Sequence, residues 1–137
     1  MRISYLITFI VCTFSMFLLS GCSCNSKKAT DTGRAFLMSL YTCDFKTCDN
    51  LCTERGKEDV LWFASNLTED DLSIISEDVK IKAQDCEIGG NFASILYSAS
   101  NIIVCDSLET KGHLGDRQLT LSLKNIGGSW KVDHLEW

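Results

Sequence analysis

The chain has 137 residues, a formal net charge of −5, no proline and eight cysteines. That length holds one domain with a single core and is too short for two. No basic stripe is present to neutralise phosphates, so the composition predicts no nucleic-acid partner.

The first element is a leader. Arg2 and the chain's amine precede 17 uncharged residues, 3–19. Basic end, apolar middle and small-residue stop are the order of an export signal. Ser4, Thr8, Thr13 and Ser15 thin the apolar run, and a spanning helix normally needs ~20 predominantly apolar residues. Leu19-Ser20-Gly21-Cys22 resembles the lipobox of bacterial lipoproteins, in which a Leu and two small residues precede a Cys. The sulfur of that Cys takes a diacylglyceryl group as a thioether. The resemblance implies a lipoprotein signal peptide over residues 1–21 and lipid attachment at Cys22, with the membrane a partner through that lipid. Several acyl chains on one residue exceed the two signals that stable anchoring needs. Ser23 follows in place of an acidic run. By analogy with lipoprotein sorting this implies the cell envelope, at the outer membrane and facing the periplasm. Removing 21 of the 137 residues leaves 116, with a charge of −6 because Arg2 goes with the signal. Residues 22–30 read as the lipidated Cys and a polar tether, in which Lys27-Lys28 would touch headgroups.

Residues 31–137 read as one α+β domain. Asp31 or Thr32 is the expected cap of a helix carrying Phe36, Leu37, Leu40 and Tyr41 on one face. Asp44 caps a second, with Phe45, Cys48, Leu51 and Cys52 at helical spacing. Gly56 is expected to break the chain before a third helix with Val60, Phe63, Ala64 and Leu67 on one face. Thr68 and Asp71 form a capping-box pattern for a short fourth turn burying Leu72 and Ile75. Beyond residue 78 the period changes to two: Val79, Ile81 and Ala83 alternate with polar residues. Gly89-Gly90-Asn91 predicts a hairpin turn before a strand over 92–99, continued or re-formed over 102–105. Residues 107–115 read as a loop. Leu119, Leu121 and Leu123 alternate, and Gly127-Gly128 turns the chain into a last strand with Trp130 and Val132 on one face. Helices first and strands afterwards predict an antiparallel meander packed against helices.

Ala35-Phe36-Leu37, Leu40-Tyr41, Asp44-Phe45 and Leu51-Cys52-Thr53, closed by Gly128-Ser129-Trp130-Lys131-Val132, resemble small exported domains related to nuclear transport factor two. Among these they look most like lipoproteins of unknown function common in Bacteroidetes. The resemblance spans about residues 30–137. It implies a cone: N-terminal helices wrapped by a curved antiparallel sheet, with a pocket at the open end. It implies no single activity, because the fold hosts isomerases, dehydratases and binding modules.

Outside the signal and the lipid site six cysteines remain: Cys24, Cys43, Cys48, Cys52, Cys86 and Cys105. Export into an oxidising compartment predicts a disulfide from the helical half (Cys43, Cys48 or Cys52) to the sheet half (Cys86 or Cys105), with the fate of Cys24 open. Cys48 and Cys52, one helical turn apart, are not expected to pair with each other. Cys43, Cys48 and Cys52 miss the plant-type iron–sulfur spacing by one residue. Zinc through Cys48, Cys52 and His113 lacks a Cys-x2-Cys knuckle. No metal and no cofactor is therefore expected.

The expected pocket lining is Phe36, Tyr41, Phe63, Trp130 and His134, with Trp130 as floor or wall. His134 shares the Trp130 face by simple alternation, where Tyr97 or Asp85 could make it an acid–base pair. No catalytic set matching a known isomerase is present. Three functions follow in order. The first is a non-catalytic domain binding a small apolar ligand or an envelope protein. The second is a cone enzyme using His134 with a carboxylate. The third is a membrane-held inhibitor or immunity protein.

Overall fold

A computed structural model describes residues 26–104 and 112–137. The signal segment, the lipid site Cys22, and Cys24 and Cys105 lie outside the described residues. Among the described residues, four helices pack against one antiparallel sheet. Helix α1 covers 26–41, followed by α2 (Phe45–Leu51), α3 (Glu54–Asn66) and α4 (Glu69–Ser73). Strands β1 (Lys80–Gly89), β2 (Phe92–Val104), β3 (His113–Ile126) and β4 (Ser129–Glu136) form a meander in the order β1-β2-β3-β4.

Helix α1 buries Ala29, Phe36, Leu37, Leu40 and Tyr41, a stripe spaced to face the sheet. It is already helical at residue 26, so Asp31 and Thr32 lie inside it and do not start it. Residues 26–30, expected as tether, are its first described turn, and Ala29 is fully buried. Gly33 has a reason to be glycine: a Cβ there would stand 2.2 Å from the Tyr97 hydroxyl oxygen. Tyr97 uses that gap to cross the helix and donates to the Thr30 carbonyl at 2.8 Å. The helix ends with the Cys43 amide bonded to Leu40 O and the Asp44 amide to Ser39 O. Cys43 takes φ 62°, the left-handed residue of a Schellman stop, where glycine is usual.

Asp44 caps α2 through the Thr47 amide, and Thr53 caps α3 through the Gly56 amide. Gly56 therefore sits inside the first turn of α3 and does not break the chain ahead of it. Its role is close approach: a Cβ would meet Val132 O at 2.5 Å. Cys52 makes a parallel bridge to Val132, and the Thr53 amide donates to Val132 O at 2.8 Å. This short pairing covers part of the free edge of β4. Thr68 and Asp71 close the capping box on α4, but the buried residue there is Asp71, while Leu72 is 49% exposed. The carboxylate of Asp71 takes the Thr68 backbone N–H and also that of Gly112, and these bonds hold its pKa below the ordinary value.

The sheet alternates as its sequence predicts, with Ile95, Tyr97, Leu119, Leu121, Leu123 and Val132 inward and fully or almost fully buried. Gly90-Asn91 and Gly127-Gly128 make two-residue hairpin loops, with Gly90, Gly127 and Gly128 at positive φ. Three register shifts bend the strands: at Gln84 in β1, before Ile102 in β2, and at Asp133 in β4. Bulges of this kind supply local twist and curvature. Asn101, at φ 59°, carries the second, its side chain bonded to Asp78 O. Strand β2 runs through it to Val104 as one element, and β3 begins at His113, inside the expected loop.

Cys43, Cys48, Cys52 and Cys86 are free thiols, which corrects the expectation of a helix-to-sheet disulfide through any of them. Topology gives the reason. Cys48 and Cys52 lie on or next to α2, which packs on α3 and β4, while Cys86 is on β1 at the other edge of the sheet. Three strand spacings amount to roughly 14 Å, and a disulfide needs Cα atoms within ~7 Å. Cys48 instead directs its thiol at the Phe36 carbonyl, 3.7 Å away. Alkylation at neutral pH, mapped by peptide mass, is expected to modify half-buried Cys43 and Cys86 and to spare Cys48 and Cys52 until denaturant is added. Equal labelling of all four in the native protein would contradict this packing.

Burial pushes the Cys48 thiol up to about 12 and the Cys52 thiol to about 11, from an ordinary 9.0. The unfolded chain releases these protons near pH 9 while the folded chain keeps them. Their contribution to stability is thus whole below pH 9 and lost as the pH climbs to 11–12. The melting temperature is expected to fall across that window, and to fall less in a Cys48→Ala variant.

Candidate functional site

The last turns of α3, the far ends of β2 and β3 and the residue after β4 enclose a cavity of about 220 Å³. Helix α3 contributes Trp62, Phe63 and Asn66, with Leu67 just beyond. Strand β2 contributes Ile102, Ile103 and Val104, and β3 contributes Arg117 and Leu119. Tyr41, from the end of α1, and Trp137 complete the lining. The bulge before Ile102 matters here, because it breaks the alternation and leaves three consecutive apolar residues, 102–104, buried.

The aromatic groups are organised. Tyr41 meets Phe63 edge-on at 5.4 Å, and Trp137 lies parallel to Phe63 at 5.5 Å with 9° between planes. Trp62 leans on Trp137 at 5.2 Å and 48°. Such pairs add ~0.5–1.5 kcal/mol each beyond buried area. Yet Trp62 is 56% and Trp137 49% exposed, so the two indoles, packed on each other, stand at the solvent-facing rim of the cavity. Asn66 donates through Nδ2 to the Trp62 carbonyl at 2.7 Å and keeps its Oδ1 as an acceptor.

Of the five expected lining residues, Tyr41 and Phe63 are there and three are not. Phe36 is fully buried under the sheet. Trp130 is 5% exposed in the core cluster, and its Nε1 has no hydrogen-bond partner among the described residues. It fills the interior and is no wall of the cavity. His134 is displaced by the bulge at Asp133: it pairs with Ser122, whereas Val132 pairs with inward Leu123. The extra residue turns His134 off the face of Trp130 and Val132.

The carboxylate beside His134 is neither Asp85 nor a neighbour of Tyr97. It is Asp59 on α3, with Oδ2 2.9 Å from His134 Nδ1 and also accepting the Leu135 amide at 2.9 Å. A carboxylate only accepts, so in this contact Nδ1 carries a proton and donates it to Asp59. Neither residue lines the cavity, so the pair fastens α3 to β4. The bulged Asp133 does the same nearby. It is buried, accepts from Thr53 Oγ1 at 2.8 Å, and lies 3.5 Å from both Arg55 and Lys124. Among the described residues no group of His, Cys, Asp and Glu could hold a metal, and His113 stands exposed at the start of β3.

Trp62 and Trp137 were not legible as site residues. Trp62 falls off the buried face of α3, and Trp137 follows the last strand, where alternation says nothing. The available signal was the Trp62-Phe63 dipeptide near a helix end, which presents one ring inward and one at the rim.

These elements define an α+β fold of the nuclear-transport-factor-two type: helices packed on an open, bent, four-stranded antiparallel sheet. Two solved structures share it. The association domain of C. elegans CaMKII matches with a TM-score of 0.53 and 14% identity, over 82% of this chain and 94% of that one. The protein Rd1NTF2_04 with long sheet matches with a TM-score of 0.50 and 12% identity, over 80% of this chain and 96% of that one. At such identities the likeness is one of fold. No family model and no curated protein matches the sequence.

Proposed function

We propose that this is a bacterial envelope lipoprotein, held at the outer membrane by lipid on Cys22, whose domain binds a small apolar molecule without transforming it. The observation that carries the reading is the cavity at the end of α3. It is concave, mostly aromatic and aliphatic, and rimmed by two half-exposed tryptophans, which is how small-molecule sites are built. Its described lining holds no carboxylate, histidine, thiol or hydroxymethyl group, and its polar side chains are Tyr41, Asn66 and Arg117, so no nucleophile–base pair is assembled there. The one oriented histidine is tied to Asp59 outside it.

Two experiments test the two halves. Cys22→Ala is expected to leave the precursor uncleaved and unlabelled by radioactive palmitate; cleavage at the same place would end the lipoprotein reading. Solvent extraction of the purified protein, with mass spectrometry, is expected to release an apolar molecule near one equivalent. Trp137→Ala should lower that occupancy about tenfold, since the ring is a wall of the site but lies half outside the core. An empty wild-type protein that no apolar compound stabilises would contradict binding.

A further inference from the structure

We propose that the free edge of β1 pairs with β1 of a second copy of this chain, antiparallel about a twofold axis, so that two sheets become one. Strand β1 stands at the end of the order β1-β2-β3-β4, and among the described residues it pairs with β2 alone. Its other edge, over Lys80–Gly89, carries a row of backbone N–H and C=O groups facing no strand. Such a row is a template for another strand unless something on it forbids the pairing.

Charges and bulges on an edge usually do forbid it, and β1 has both. The order of its charges argues the other way. Lys80 and Lys82 come first, Asp85 and Glu87 last, and all four are exposed. Turned end to end against itself, the strand sets Lys82 opposite Asp85 of the second copy and Lys80 opposite Glu87. The twofold repeats both pairs, and side chains directly opposite lie ~4.5–5.5 Å apart at Cβ. These groups are open to such partners. Among the described residues Lys82 and Glu87 make no ion pair within the chain. Lys80 reaches Asp78 only at 3.9 Å, with both side chains exposed. Asp85 takes the Cys86 amide on Oδ1 and keeps Oδ2.

The bulge is what makes the faces agree. Residues five apart on a regular strand point to opposite faces. The extra residue at Gln84 shifts the phase, so Ile81 and Cys86 share the inward face, opposite buried Ala99 and Ile95. Lys82 and Asp85 share the outward face, opposite Ser98 and Leu96. In the paired edge Ile81 therefore meets Cys86 of the second copy on the inner side, while the charges meet on the outer side. Other registers do worse. Setting Lys82 against Glu87 leaves Lys80 and Asp85 without a charged partner. Setting Cys86 against itself puts Asp85 against Glu87, and a parallel in-register pair puts every charge against its like.

The test is sedimentation of the full-length protein in density-matched detergent over a wide range of concentration. A reversible monomer–dimer equilibrium is expected. Lys82→Glu should weaken the dimer about tenfold or more, because two attractive contacts become repulsive, and Asp85→Lys should do the same. The double variant Lys82→Glu/Asp85→Lys re-forms both contacts with the signs exchanged and should return the affinity to near the wild-type value. Thermal melting of each variant checks the fold. A second measurement holds even if a reversal variant fails to fold. Mild oxidation of Lys82→Cys/Asp85→Cys should give a reducible dimer well above the wild-type background, whereas Lys82→Cys alone should not. A protein that stays monomeric at every concentration overturns the proposal and returns the charged edge to a protective role. A dimer that neither reversal weakens, or a folded double variant that stays weak, overturns it as well.

Discussion

Gly56→Ala is expected to destabilise the protein by about 3 kcal/mol, the reverse of what helix propensity predicts. In an exposed helix interior the same change stabilises by ~1 kcal/mol. Here the new methyl would sit 2.5 Å from Val132 O and 2.7 Å from Cys52 Cβ. Neither is the loose end of a flexible side chain, so α3 must move away from β4. That motion strains the bond from the Thr53 amide to Val132 O at 2.8 Å and the one from Thr53 Oγ1 to Asp133 at 2.8 Å. Asp133 is buried, and bonds to a buried carboxylate are the ones whose loss costs most. Gly89→Ala is the control, since a Cβ there meets nothing within 4 Å; it should change stability by less than about 0.5 kcal/mol. Urea titration of the two variants measures the contrast. Equal effects would mean that α3 does not rest on the edge of β4 as described.

Trp130→Ala should cost about 3–5 kcal/mol, the range for deleting a large aromatic from a packed core. The ring is 5% exposed and belongs to the main cluster with Leu123 and Val132. Trp130→Phe is the more informative change. It leaves a void but also removes the indole N–H, which is buried and without a partner among the described residues. The void costs, and loss of the orphaned donor repays ~1–3 kcal/mol, so the net change should stay within about 1 kcal/mol. Affinity at the cavity should not move in that variant, because Trp130 does not line it. Weakened ligand binding with an intact fold would return Trp130 to the site.

The alternation of Leu119, Leu121 and Leu123, the double-glycine turn and the capping boxes were readable because each depends on neighbours in sequence. What could not be read depends on bulges and on contacts far along the chain. One extra residue at Asp133 moves His134 off the Trp130 face, and no local pattern marks it. The partner of His134 is Asp59, 75 residues away. Gly56 looked like a break because its reason is a β4 carbonyl 76 positions on. The cysteines misled for a different reason. Compartment chemistry argued for pairing, but sheet order puts Cys86 and α2 at opposite edges. Two of the four aromatic residues of the site were legible, Tyr41 and Phe63, since both belong to buried helical stripes. Trp62 and Trp137 are half-exposed, and exposed aromatics carry no periodicity.

The protein has three tryptophans, Trp62, Trp130 and Trp137, and their indole N–H resonances report separately on the rim and the core. Recording nitrogen–proton correlation spectra of the labelled protein while titrating indole, a small apolar probe, tests the central claim, that the cavity at the end of α3, lined by Trp62 and Trp137, is the binding site. The expected result is saturable shifts of the Trp62 and Trp137 signals with one common affinity and an unmoved Trp130 signal. A shift confined to Trp130, or no saturable shift at Trp62 and Trp137, would contradict it.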